Sequence, residues 1–240
     1  MQAVRVMIPT GPESPVEPAR PIPAGFNYDM WLGPAPWQPY TPKRCHRTFR
    51  YISDYAGGTV TDVGAHYFDL ALWATRDKVA GPVSVEGEGV FPSDGLFDTA
   101  IRVKLEYVYA DGFRINCVNA DDERAGRIRF EGEEGWIEVS DQSMTAEPAS
   151  LLERRLSPGD KPLYRSNDHF RNFLDCVRTR AATVATAEAG HRSATLCHLG
   201  NIAMLLGRKL DWDPADERFP KDQQANRLLG RSMRSPWSLF

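Results

Sequence analysis

Hydrophobic and polar residues alternate through several short stretches of this chain, which is the pattern of half-buried β-strands. The most regular stretch is 99–110, where one face carries Ile101, Val103, Leu105, Tyr107 and Tyr109 and the other carries Arg102, Lys104 and Glu106. Similar stretches predict strands at residues 3–8, 83–91, 113–120, 126–132 and 135–141. The sheet is therefore expected to bury one face in its own core. Its other face is either wet or covered by something outside the chain.

Helical periodicity predicts three helices, at residues 59–75, 167–180 and 188–208. Ten of the 18 prolines lie between residues 9 and 42, which excludes long helices and central strands there. We interpret residues 9–56 as a wrapping loop and residues 210–240 as a polar, wrapping C-terminal tail. The order of elements predicts one α+β domain over residues 1–240 rather than an alternating β-α-β fold.

Composition narrows the class of protein. The chain has 240 residues, 42% of them hydrophobic, and a formal net charge of -3, which is typical of a soluble globular protein. It contains neither a stretch apolar enough to span a bilayer nor the pattern of a signal peptide, so we expect a cytoplasmic protein with no membrane partner. With 29 Lys and Arg against 32 Asp and Glu, nothing favours a nucleic-acid partner. The four scattered cysteines are expected to be reduced, buried thiols.

Candidate chemistry centres on the predicted helix 59–75. Asp62, His66 and Asp69 are spaced i, i+4, i+7 and would share one stripe of that helix. A histidine one turn from a carboxylate is a workable acid/base pair near neutral pH. A purely structural role and a metal site completed by other ligands are the alternatives that spacing leaves open. The remaining histidines, among them His191 and His198, are interpreted as structural.

The run GGTVTDVGAHYFDLALW at 57–73 resembles the Gly-Gly-x-x-x-Asp-x-Gly-x-His-x-x-Asp signature of the C-terminal domain of the Gfo/Idh/MocA family of NAD(P)-dependent oxidoreductases. Six other segments resemble the same family in the same order, so the likeness extends over essentially the whole chain. They are VRVMIPTGP, WLGPAPWQPY, KRCHRTFRYISDYAGG, HFRNFLDCVRTR and EAGHRSATLCHLGNIAMLLGRKLDWDP, followed by the closing SMRSPW.

The resemblance implies roles for particular residues. His66 would be the general acid/base for the substrate hydroxyl, and Asp62 would orient both His66 and the sugar. Arg50, Tyr55 and Asp69 are further candidates for substrate contacts. The implied fold is an open, mostly antiparallel sheet with helices on one face, whose other face packs against a second subunit. The implied partners are a sugar or polyol and a second copy of the chain in a homo-oligomer.

Members of that family begin with a Rossmann domain that carries the dinucleotide fingerprint and a Glu-Lys-Pro lysine. Neither GxGxxG nor Glu-Lys-Pro occurs in these 240 residues. We therefore expect no cofactor-binding residues, no metal ligands, and no NAD(P) binding or hydride transfer by this chain alone. A separate Rossmann-domain chain would then be a further partner.

Three interpretations remain at this stage. The chain is the substrate-binding and oligomerisation half of a sugar or polyol oxidoreductase, or a stand-alone, non-catalytic sugar-binding or dimerisation module. The third is a cofactor-independent lyase or isomerase that uses His66 and Asp62.

Overall fold

A computed structural model describes residues 1–75, 81–122, 125–155, 157, 159–160 and 162–238. Within them, eight strands form one sheet in the order β7-β6-β5-β1-β4-β3-β2-β8. The strands are β1 (Ala3–Ile8), β2 (Ser84–Val90), β3 (Arg102–Val108), β4 (Arg114–Asn119), β5 (Arg127–Gly132), β6 (Gly135–Ser140), β7 (Met144–Glu147) and β8 (Leu210–Asp211). Only the β1–β4 pair is parallel among these neighbours. The predicted open, mostly antiparallel sheet is confirmed.

Two helices, α3 (Val63–Ala74) and α5 (Ala187–Leu206), pack against each other and against one face of the sheet. The contact with α5 is close because Gly200 faces the sheet: a Cβ added there would lie 2.3 Å from the Tyr107 hydroxyl. That hydroxyl donates a 2.7 Å hydrogen bond to the carbonyl of Leu196 and is thereby satisfied inside the core. Helices on one face of the sheet are therefore confirmed as predicted.

The opposite face of the sheet carries a cross-strand row of polar side chains. In pairing order it runs Glu86, Glu106, Asn116, Arg5, Arg129, Glu138 and Thr145. Glu138 is only 6% exposed because Arg127 and Arg129 close over it, at 3.1 and 2.8 Å. Acidic side chains dominate one end of the row and arginines its middle.

The wrapping loop contains only short helices, as its prolines require. These are α1 (Tyr28–Leu32) and two 3-10 helices, Pro42–Arg44 and His46–Tyr51. The loop has a small apolar cluster of its own, built on Tyr28, Leu32, Tyr40 and Cys45. All four cysteines of the chain are free and buried, as expected.

The single helix predicted at 59–75 is wrong. The structure has α2 (Gly58–Thr61) and then α3, with a break at Asp62, whose φ of -91° and ψ of -88° leave the helical region. The Thr61 hydroxyl bonds the Gly58 carbonyl at 3.1 Å and accepts from the Gly57 amide at 3.0 Å, which closes the first turn on itself. Asp62 therefore precedes α3 instead of lying on the stripe of His66 and Asp69.

The polar, wrapping tail is also a prediction that needs correction. Residues 210–240 include β8, which extends the sheet beyond β2, and α6 (Gln223–Arg227). Trp212, Phe219 and Ala225 from this segment are buried in the main core. Strand β7 was not predicted, and the strand predicted at 99–110 is shorter, Arg102–Val108.

Helix α4 (His169–Thr179) differs from α3 and α5 because most of its apolar side chains face solvent. Phe170, Phe173, Leu174 and Val177 are 81%, 57%, 52% and 49% exposed and share one face at i, i+3, i+4, i+7 spacing.

No helix in the part of the chain that the structure describes is long and apolar enough to cross a membrane.

Candidate active site

His66, in the first turns of α3, lines a recess of about 660 Å3 between α3 and α5. Asp69 lies one turn further along α3 and lines the same recess, while α5 contributes Ser193 and His198. His66 and Asp69 are three residues apart and therefore share a face of α3, which packs beside α5. Ser193 and His198 are five residues apart on α5, and both line the recess. The recess therefore brings together two of the predicted site residues with two that sequence reasoning had not selected.

The floor of the recess is held by a hydrogen bond between the helices. The hydroxyl of Ser193, 5% exposed, lies 2.9 Å from Oδ1 of Asp69 and also 2.9 Å from the carbonyl of Ala189. Cys197 also lines the recess, but burial raises the pKa of its thiol to about 12. It stays protonated at neutral pH and is unsuited to act as a nucleophile.

The two imidazoles of the recess, His66 and His198, make no hydrogen bond to any described residue. His198 is exposed overall, but partial burial of its ring lowers its pKa, and the nearby Arg231 lowers it further. His198 is therefore neutral at pH 7, with one ring nitrogen able to donate and the other able to accept. Both rings are available to a ligand.

Asp62 lies outside this recess and forms an ion pair with Arg50. Arg50 is held in turn by a 2.9 Å hydrogen bond from its Nε to the carbonyl of Arg47, in the same 3-10 helix, His46–Tyr51. Asp62 and His66 share no hydrogen bond among the described residues. The structure thus pairs Asp62 with Arg50 and places His66 beside Asp69 in the recess.

Tyr55 lines a larger cleft, of about 1290 Å3, between the wrapping loop, α5 and the segment before the C-terminus. Its hydroxyl accepts a 3.4 Å hydrogen bond from Arg44, and its ring meets Trp31 edge-on with centroids 5.1 Å apart. Burial raises the pKa of this hydroxyl. His198 lines both the cleft and the recess, so the two cavities adjoin at this side chain.

Sequence reasoning overlooked the contribution of α5. In the segment EAGHRSATLCHLG, Ser193 and His198 line the recess together with the small residues Ala189, Gly190 and Ala194. A hydroxyl and an imidazole beside small residues on one helix could have indicated that α5 contributes to the site.

The glycine pair Gly57-Gly58 does not fit a dinucleotide. A Cβ on Gly57 would lie 2.4 Å from Thr61 Cγ2 and 2.5 Å from Asn201 Nδ2, and one on Gly58, whose φ is +70°, would lie 2.6 Å from Thr99 Oγ1. These glycines make room for the protein's own side chains. Helix α2, which begins at Gly58, has only four residues. Across the described residues, no group of three or more His, Cys, Asp or Glu side chains could hold a metal ion.

The family described as "Oxidoreductase family, C-terminal alpha/beta domain" of Gfo/Idh/MocA proteins matches residues 13–239. This chain belongs to the Gfo/Idh/MocA oxidoreductase family. No curated protein matches it in sequence.

Solved structures of similar fold share little sequence with this Gfo/Idh/MocA chain. An aldose-aldose oxidoreductase from Caulobacter crescentus, complexed with glycerol, has a TM-score of 0.57 at 17% identity, covering 88% of this chain and 55% of its own. The WlbA dehydrogenase from Bordetella pertussis, in complex with NADH and UDP-GlcNAcA, has a TM-score of 0.53 at 14% identity, covering 88% and 54%. At these identities the likeness shows the fold alone. The chain spans about 55% of the length of the first of these proteins.

Proposed function

We propose that this chain is the substrate-binding and oligomerisation half of a sugar or polyol oxidoreductase. The observation that carries the proposal is the recess between α3 and α5, where the His66 imidazole makes no hydrogen bond to any described residue and lies with Asp69 and His198. A concave site with a few convergent polar groups is the usual form of a small-molecule site. Its imidazoles and carboxylate are suited to the hydroxyl groups of a sugar or polyol.

The chemical step that these residues can carry is a proton transfer. His66 accepts the proton of the substrate hydroxyl that becomes a carbonyl, since a neutral imidazole is a general base near pH 7. Asp69, held by Ser193, accepts a hydrogen bond from a neighbouring hydroxyl. Asp62 and Arg50 hold the start of α3, and thereby the position of His66 four residues later.

Hydride transfer needs NAD(P) from elsewhere in this proposal. The space beside Gly57 and Gly58 is occupied by the side chains of Thr61, Asn201 and Thr99, so this glycine pair offers no cradle for a pyrophosphate. A nucleotide-binding domain on another polypeptide or on a longer chain would bring the cofactor to the recess. The glycerol bound to the aldose-aldose oxidoreductase is a polyol, and the NADH bound to the WlbA dehydrogenase is a nicotinamide cofactor, as this proposal requires.

Ligand binding by the purified chain tests the proposal. Titration calorimetry and thermal shift with a panel of sugars and polyols, with NAD and with NADP, should give binding by at least one sugar or polyol and none by either nucleotide. His66→Asn should weaken that binding about tenfold or more, whereas His169→Asn, on exposed α4, should leave it unchanged. Stabilisation by NAD or NADP, or no binding by any sugar or polyol, would overturn the proposal. Turnover in NAD-free buffer would instead favour the lyase or isomerase.

The oligomeric part of the proposal rests on the sheet face opposite α3 and α5. Its cross-strand row places acidic Glu86 and Glu106 at one end and Arg5 and Arg129 in the middle. A second copy related by a two-fold axis that passes near Asn116, between these two groups, would set the acidic side chains against the basic ones, which is the self-complementarity that an isologous interface requires.

A further inference from the structure

We propose that the recess and the adjoining cleft bind one ligand together, an uncharged glycoside of at least two sugar units. One unit would present its reacting hydroxyl to His66 in the recess, and the second would stack on the aromatic wall of the cleft, formed by Trp31, Phe49 and Tyr55. This inference rests on the proposed function and specifies its substrate class.

The first support is that the two cavities adjoin. His198 is the side chain that lines both of them, and among the described residues it makes no hydrogen bond. A ligand that reached from one cavity to the other would pass beside this neutral imidazole, which can donate to one oxygen and accept from another. The atoms around a glycosidic linkage offer such groups in close sequence.

The second support is size. The cleft measures about 1290 Å3 and the recess about 660 Å3. Cavities of roughly 300–1,000 Å3 take drug-sized ligands, so the recess alone accommodates a monosaccharide and the cleft leaves ample room for a further unit.

The third support is the rigidity of the aromatic wall. The Trp31 ring lies 5.9 Å from that of Tyr28 at an interplanar angle of 13°, and 5.1 Å from Tyr55 at 71°. Tyr28 is 3% exposed and anchors the group in the cluster of the wrapping loop. A wall that is already ordered loses little conformational freedom on binding. The C–H face of a sugar ring packs against such a wall while its hydroxyls point outward.

The fourth support is charge, which favours an uncharged ligand. The charged groups lining the cleft are the carboxylates Asp54, Asp98 and Glu217 against the single guanidinium of Arg231, counted over the described residues. Carboxylates accept hydrogen bonds from sugar hydroxyls and repel phosphate. Asp98 is already fixed by the amide and hydroxyl of Ser53, at 2.6 and 2.7 Å. A phosphorylated or nucleotide-linked sugar is therefore disfavoured in the cleft.

Calorimetric titration of the whole chain tests whether the site takes two sugar units, whether the ligand is uncharged and whether the aromatic wall binds the second unit. The probes are glucose, the disaccharides maltose, cellobiose and trehalose, and UDP-glucose. We expect at least one disaccharide to bind about tenfold more tightly than glucose, and UDP-glucose to bind more weakly than that disaccharide. Trp31→Ala should remove the preference for the disaccharide and leave glucose binding within about twofold. Trp37→Ala is the matched control, because Trp37 is in the same loop, 61% exposed, and outside the cleft.

Several results would overturn the inference. Glucose binding as tightly as every disaccharide, or tightest binding of UDP-glucose, would show that the cleft takes no second neutral sugar, while leaving the proposed function intact. A preference that survives Trp31→Ala would contradict the role of the wall. If Trp31→Ala does not fold, Phe49→Ala provides the same test, since Phe49 is 39% exposed and buries little. Failure of every saccharide to bind would remove the proposed function and this inference together.

Discussion

The hydroxyl of Ser193 on α5 donates a 2.9 Å hydrogen bond to Oδ1 of Asp69 on α3. It is a side-chain bond between the two helices that line the recess, and its donor is buried while its acceptor faces the cavity. One interaction therefore stabilises the helix pair and orients a carboxylate of the candidate active site.

Replacing Ser193 by Ala should destabilise the fold. The variant loses a hydrogen bond to a charged group, for which we expect a loss of about 1.5–3 kcal/mol in the free energy of unfolding. Chemical denaturation monitored by circular dichroism measures it. Thr195→Ala is the matched control, because the Thr195 hydroxyl bonds only the carbonyl of His191 in its own helix. A loss no greater than that of the control would contradict this assignment.

The Glu138 carboxylate on the open sheet face should also be important for stability. It is 6% exposed and paired with Arg127 and Arg129. Glu138→Gln keeps the shape but removes the charge between two guanidinium groups, and we expect a loss of about 2–3 kcal/mol. Glu88→Gln is the control on the same sheet, since the Glu88–Lys104 pair is 76% and 70% exposed and should be worth at most about 1 kcal/mol. If Glu138→Gln and Glu88→Gln lowered the free energy of unfolding in urea by equal amounts, this prediction would be wrong.

The fold was largely predictable because its signals are local. Alternation in residues 99–110 is strict enough that the buried face of β3 follows from the sequence, and Asp111-Gly112 marks the hairpin into β4. The tail was misjudged because β8 is only two residues long and is stabilised by pairing with β2, a contact from a distant part of the chain. Short strands of this kind carry no periodicity of their own.

The candidate site was predictable only in part. The motif identified His66 and Asp69, and both line one recess. The break at Asp62 was not predictable from helical spacing, since it depends on the hydrogen bonds between the Thr61 hydroxyl and the backbone of Gly57 and Gly58, and on the close packing of these glycines against other segments. His198 was missed because it comes from a different helix, whose rotation about its axis only the packed structure defines.

The oligomer proposal makes a direct prediction about sedimentation. We expect the chain to be a dimer or larger at micromolar concentration. Arg5→Glu should shift it toward monomer, because the new carboxylate would repel the acidic side chains of the partner's row. Arg20→Glu, in the wrapping loop, makes the same charge change on another exposed surface and should leave the sedimentation coefficient unchanged. A strictly monomeric wild-type chain would contradict oligomerisation through this face.

Two glycines of α5 should respond in opposite directions to the same substitution. A Cβ at Gly200 would lie 2.3 Å from the Tyr107 hydroxyl and 2.7 Å from Leu105, both in the core, so Gly200→Ala should cost about 1–3 kcal/mol. At Gly190 nothing lies within 4 Å of an added Cβ, and Gly190→Ala should stabilise the helix by up to about 1 kcal/mol. Thermal and urea unfolding measure both. Stabilisation by Gly200→Ala would mean that α5 packs less closely on β3 than described.

His198 should make stability depend on pH. Burial, with Arg231 beside it, lowers the pKa of His198 below its usual 6.5. The unfolded state therefore binds the proton more readily than the folded state. The resulting contribution to stability is complete above about pH 6.5 and is lost as the pH falls through the lower pKa of the folded state.

Urea denaturation at several pH values between 5 and 8 tests the role of His198. His198→Asn, which cannot take up a proton, should lose less stability on acidification than the wild type does. His169→Asn, at the start of exposed α4, should retain the full pH dependence because that ring lines neither cavity. Identical slopes for all three proteins would show that the His198 ring is as well solvated as in the unfolded chain. A neutral His198 at pH 7, by contrast, would be available to a ligand as both donor and acceptor, the state that the proposed glycoside site requires.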